Sequence, residues 1–162
     1  GTSDLAFTTQ IDNPMFGYHT NGYHETVIIV SNRHPLASYK EIHLSQLRNE
    51  NIITYESRCQ IRGYIDQLFR DAGFKPKVIF ETTNDNIIFS SESANFGIAL
   101  IPKPLGEHAS PVKVLRIKDE IPPRPIVLAW RKSRYLSRAA DSFANYIIKN
   151  TALFDEYLKS TV

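Results

Sequence analysis

The sequence predicts an α/β fold, because short apolar runs alternate with segments of helical spacing and the composition is rich enough in apolar side chains to build a core. The runs fall at 5–7, 26–30, 52–55, 77–80, 97–101, 112–117 and 125–130, each bounded by turn formers. Most are β-branched and apolar at successive positions, the pattern of strands buried on both faces of a sheet. Between them, Ile61, Ile65, Leu68 and Ala72 recur at helical spacing beside Phe69, and Gly73 supplies a stop. A weaker helix is expected over 84–95. Ser137 is placed to cap another, with Ala140, Phe143, Ala144 and Ile147 on its apolar stripe, and a last amphipathic turn carries Leu153, Phe154, Tyr157 and Leu158. Strands alternating with helices in this way predict a mostly parallel sheet with crossover helices.

The 162 residues, 42% of them hydrophobic, suffice for one core or two small lobes. Nineteen basic residues against 17 acidic ones leave no field strong enough to hold a polyphosphate, so the chain itself is not read as binding nucleic acid. A single cysteine, Cys59, excludes an internal disulfide and fits a cytoplasmic setting. No apolar run approaches the roughly 20 residues that span a bilayer, so no membrane association is expected. Gly1, Thr2 and Ser3 read as a remnant of cloning joined directly to a strand, and the chain is expected to have been trimmed.

Crossings between lobes are expected at the polar stretch 48–51 and at the proline-rich run 120–125. Residues 52–121 would then form one lobe, and 1–51 with 122–162 the other. A cleft between lobes is the natural ligand site.

The segments DLAFTT, ETVIIVSNRHPLA, EIHLSQLRNENIITY, DAGFKPKVIFET, NFGIALIPK and RPIVLAWRKSRYLSRAADSF follow one another in this order. Together, over residues 4–148, they resemble the effector-binding domain of LysR-type transcription regulators. The resemblance implies a type 2 periplasmic-binding-protein-like fold of two α/β lobes with a small effector between them. It also implies that a winged helix-turn-helix and the opening of the first lobe precede the DLAF segment. The first lobe is therefore expected to be incomplete, DNA to be reached only through the missing N-terminal domain, and the exposed sheet edge to favour a homo-oligomer.

Anionic effectors are held by hydroxyls, amides and backbone N–H groups at strand ends and helix starts. Thr8 and Thr9 follow the first strand, and the resemblance to cysteine-metabolism regulators within the family places a ligand contact at Thr9. The turn 56–60 leads from a strand into the long helix: Ser57 is an expected N-cap or ligand contact, and Gln60 falls where those regulators carry a threonine. Thr82, Thr83 and Asn84 either cap the next helix or line the cleft. His24 is either a surface histidine or a bulky group at the pocket mouth. The expected contacts are Thr8, Thr9, His24, Ser57, Gln60 and Thr83, toward a small anion or carboxylate.

Other classes are read against this one. A cysteine-dependent enzyme would use Cys59, but no histidine forms a recognisable nucleophile motif with it, and no G-x-S-x-G, Walker, G-x-G-x-x-G or H-E-x-x-H pattern occurs. His19, His24 and Glu25 offer too few ligands for a metal, and no cofactor is expected. A solute-binding protein of a transport system would share the two-lobe fold.

Overall fold

A computed structural model describes residues 3–9, 13–104 and 111–160, with residues 159 and 160 described by backbone alone. In chain order the elements are β1 (Leu5–Thr8), β2 (Phe16–His24), β3 (Thr26–Ser31), β4 (Glu41–Ile42), β5 (Asn51–Tyr55) and α1 (Gln60–Asp71). There follow β6 (Lys77–Thr82), α2 (Asp85–Ser93), β7 (Ile98–Pro102), β8 (Val112–Ile117), β9 (Arg124–Arg131), α3 (Arg138–Lys149) and α4 (Thr151–Ser160). They form two compact units, residues 1–25 with 123–162, and residues 26–122.

The second unit is built on a six-stranded sheet in the order β4-β8-β3-β7-β5-β6. All six residues of β3 are buried, as a continuous run of branched apolar side chains requires when both faces of a strand are covered. It pairs antiparallel with β7 on one side and β8 on the other. Helix α1 buries Ile65, Leu68 and Phe69, and α2 buries Ile88 and Phe89. Gly97 admits the close approach of the next strand, since a Cβ there would lie 2.7 Å from the Asn51 carbonyl oxygen.

The expected mostly parallel sheet is met in this unit by three of the five pairings, while the two that β3 makes are antiparallel. Parallel neighbours occur in β5/β6, β5/β7 and the short β4/β8 pair. Helix α1 connects β5 to β6 and α2 connects β6 to β7, and each crossover returns the chain to the same end of the sheet, so all three strands run the same way. The two pairs that β3 makes run antiparallel. The pairing also takes residues 26–51, expected in the first lobe, into the six-stranded sheet, because β3 is its central strand and β4 an edge.

The first unit has a three-stranded antiparallel sheet, β1-β9-β2. Its longest strand, β2, carries no apolar run and went unpredicted: its sequence is FGYHTNGYH. Glycine makes this strand possible. A Cβ at Gly17 would sit 2.6 Å from the Trp130 indole, and one at Gly22 would sit 3.1 Å from the Asp155 Cα, so the ring and α4 rest directly on the strand backbone. At a register shift between Thr20 and Gly22, the wholly buried Asn21 accepts a hydrogen bond from the Leu128 N–H at 2.9 Å. His19 Nε2 lies 2.6 Å from Thr151 Oγ1, tying β2 to the start of α4. Ser137 caps α3 as expected, accepting from the Ala140 N–H at 3.2 Å. Leu5, Leu128, Ala144 and Ile147 pack together, and Phe7 stacks on Phe154 with ring centroids 5.4 Å apart.

Two predictions follow from the packing in the second unit. Leu68→Ala should cost about 2 to 5 kcal/mol in urea unfolding as a core cavity; a neutral result would contradict the burial of α1. Glu92, on the buried face of α2, is wholly inaccessible, and among the described residues neither of its carboxyl oxygens has a hydrogen-bond partner. Burial pushes its pKa from 4.5 up to about 9. The folded state therefore holds a proton that the unfolded chain releases, and the stability from this group is complete below the unfolded pKa and lost as pH rises through the folded one. The slope is about 1.4 kcal/mol per pH unit across that window. Glu92→Gln should flatten the fall in stability between about pH 5 and pH 8; parallel curves for parent and variant would refute it.

Candidate functional site

Ser57, Gln60 and Thr83 stand at the carboxyl ends of two neighbouring parallel strands in the second unit. Tyr55, the last residue of β5, pairs with Thr82, the last of β6. One further bond, from the Glu56 N–H to the Thr82 carbonyl at 3.1 Å, prolongs the ladder. The Cys59 N–H then donates to the Glu56 carbonyl at 2.9 Å, which puts Ser57 and Arg58 at the corner of a turn and starts α1 at Gln60. Ser57, Gln60 and Thr83 are all exposed.

The expected capping role of Ser57 is corrected. The N-cap of α1 is Cys59, and its side chain makes no capping bond. The turn closed between Glu56 and Cys59 uses Ser57 as its corner, two residues too early to reach the free N–H groups of the helix. At the next helix the cap is Asn84, whose Oδ1 accepts from the Asn86 N–H at 2.9 Å, while Thr82 Oγ1 accepts from the Asn84 N–H at 3.2 Å. Thr83 takes neither part. The two helix starts differ in charge: α2 has Asp85 in its first turn and α1 has no acidic residue in its own. An anion is thus favoured at the start of α1.

Beneath this turn lies Arg62, which sequence reasoning passed over as one more polar residue on an amphipathic helix. Its side chain is 15% exposed, with Nε donating to Asp66 at 2.8 Å and Nη1 to Glu81 at 2.7 Å. Nη1 also donates to the Tyr55 carbonyl at 2.6 Å. Burial pulls its pKa down, but the bonds to Glu81 and Asp66 more than offset this and leave it raised. The Tyr55 hydroxyl donates to Asp85 at 2.8 Å, so the ends of β5, β6, α1 and α2 are linked through polar contacts.

In the first unit, Thr8 closes β1 opposite Val127, and His24 closes β2 opposite Arg124. Both therefore lie toward the starting end of β9, on either side of it. Thr9 follows directly and is half-buried. Arg124 Nη2 donates to His24 Nδ1 at 3.1 Å, a contact hidden in a stretch that reads as a proline-stiffened connector. Thr8 also borders a cavity of about 310 Å³ with Ala6, Phe16, Tyr18 and Arg131; Thr9 and His24 do not line it.

A groove of about 430 Å³ in the second unit runs past Arg62, Asp66, Arg70, Phe74 and Lys75, and it contains none of the expected contacts. Among the described residues, no group of three or more His, Cys, Asp or Glu side chains is placed to hold a metal ion. Cys59 is half-buried at the head of α1. No helix among the described residues is long and apolar enough to cross a membrane.

Comparison with known proteins agrees with this architecture. The sequence matches the LysR substrate binding domain family over residues 1–152. It is similar to two HTH-type transcriptional regulators of Bacillus subtilis (strain 168): YwbI, 34% identical over 74% of this chain, and YybE, 31% identical over 78%. The matches span 40% and 43% of those two proteins, so the chain corresponds to less than half their length. Among solved structures, the effector binding domain of QuiR in complex with shikimate superposes with a TM-score of 0.85 at 27% identity, covering 93% of this chain and 72% of that one. The chain belongs to the LysR substrate-binding domain family, the small-molecule-sensing module of transcription regulators.

Proposed function

We propose that this chain senses a small anion or carboxylate on behalf of a LysR-type regulator, and that Thr8, Thr9, Ser57, Gln60 and Thr83 are the groups that meet the effector. The observation that carries the reading is the likeness to a domain of the same fold holding shikimate, a carboxylate. Hydroxyl and amide groups at the ends of strands β1, β5 and β6, and the acid-free start of α1, supply the chemistry such a ligand needs. His24, held by Arg124 with Nη2 and Nδ1 3.1 Å apart, is a further contact. DNA binding belongs to a winged helix elsewhere in the polypeptide, and the regulator works in the cytoplasm as a homo-oligomer. The effector changes its output by favouring one arrangement of the protein over another, which requires unequal affinity for the two.

Calorimetric titration of the full-length regulator tests this, with shikimate as the first probe and other small carboxylates after it. Thr9→Ala and Gln60→Ala should each weaken binding by about 0.5 to 3 kcal/mol while changing thermal stability much less. Equal affinity in both variants would remove these residues from the site. Ser57→Ala should stay within about 0.5 kcal/mol of the parent in stability, whereas Asn84→Ala should lose about 1 kcal/mol through its cap; the reverse order in a urea titration would restore Ser57 as the cap.

A further inference from the structure

Helix α1 begins without a side-chain cap, directly after an exposed turn that closes on a single backbone hydrogen bond, Cys59 to Glu56. A helix start without such a cap is ordinarily looser than a capped one, and in α1 the Arg62 N–H donates to the Cys59 carbonyl at 3.0 Å. Here a different device spans the turn. Arg62, in the first turn of α1, reaches back over residues 56–59 to the carbonyl of Tyr55, the last residue of the strand before them. The same guanidinium holds Glu81 on the adjacent strand β6 and Asp66 one helical turn further on. Tyr55 is itself buried and fixed at its hydroxyl by Asp85 at the head of α2.

We infer that Arg62 is a positioning residue, a clamp that fixes the turn 56–60 between the ends of β5 and β6 so that Gln60 and the N–H groups at the head of α1 hold one arrangement toward the effector. The planar guanidinium suits the task because it donates from two separate nitrogens, Nε to Asp66 and Nη1 to the Tyr55 carbonyl and Glu81, whereas an ammonium would have to gather all three acceptors around one nitrogen. Its low exposure keeps water from competing for those acceptors. The clamp acts through the turn and not on the ligand, as a support for groups whose own rotamers must be held. This rests on the assignment of Gln60 to the effector wall.

Hydrogen–deuterium exchange on the ligand-free chain reads the clamp without reference to any ligand. In Arg62→Met, exchange over residues 56–61 should rise by about tenfold or more, the effect of losing charge-assisted bonds on a local opening equilibrium. Strands β3 and β7 should stay as protected as in the parent. Arg62→Lys should fall between the two. If Arg62→Met does not fold, Glu81→Gln, which leaves the bond to Tyr55 in place, should raise exchange in the same segment by a smaller factor. Unchanged protection over 56–61, or a rise spread evenly over α1, β3 and β7, would overturn the inference. Failure of the effector reading shows elsewhere, as unaltered carboxylate affinity in Gln60→Ala, so the two results are separable.

Discussion

The second unit depends on the burial of β3 on both faces. Six consecutive side chains, from Thr26 to Ser31, are removed from water, and a strand in that position must be hydrogen-bonded on both edges, because its amides have no solvent to turn to. β7 and β8 satisfy those edges. Once β7 is fixed against β3, β5 and then β6 follow on its other side in parallel. The carboxyl ends of β5 and β6 are brought together with the heads of α1 and α2. The polar groups offered to a ligand therefore stand on an apolar frame, and their spacing is set by strand pairing.

What the sequence made legible follows from how each element is stabilised. β3, β5 and β7 are held by their own branched apolar side chains, so each appears as an apolar run. Helix α1 shows its buried face in the spacing of Ile61, Ile65 and Leu68. β2 escaped notice because its place in the sheet depends on what it lacks: Gly17 makes room for Trp130, and Gly22 for α4. The antiparallel pairing of β3 was not legible either, since its apolar run does not say which later strands will flank it. β7 and β8 both run antiparallel to β3, one on each side of it.

Apart from β2 with His24, the elements that carry the candidate residues were legible, and the capping role given to Ser57 was not. The strand ends carrying Thr8 and Thr9, and the turn before α1, were expected as polar walls, and the structure places them at the ends of β1 and β5. Ser57 was misread because a serine shortly before a helix resembles a cap in sequence, and only the turn closed by Cys59 shows that the helix starts three residues later, at Gln60. Arg62 was invisible as anything but surface, because its partners, Tyr55 and Glu81, come from segments that only the parallel pairing of β5 and β6 brings beneath it.

The central claim is that these strand-end hydroxyls and amides are what the chain uses to sense a small carboxylate. Backbone amide spectra of the isotopically labelled protein, recorded while shikimate and related small carboxylates are titrated in, test it most directly. The account predicts saturable shifts concentrated at Thr8, Thr9, residues 57–60 and Thr83, with β3 unmoved. Shifts confined to the groove along Arg70, Phe74 and Lys75, or spread over the surface without saturating, would contradict it.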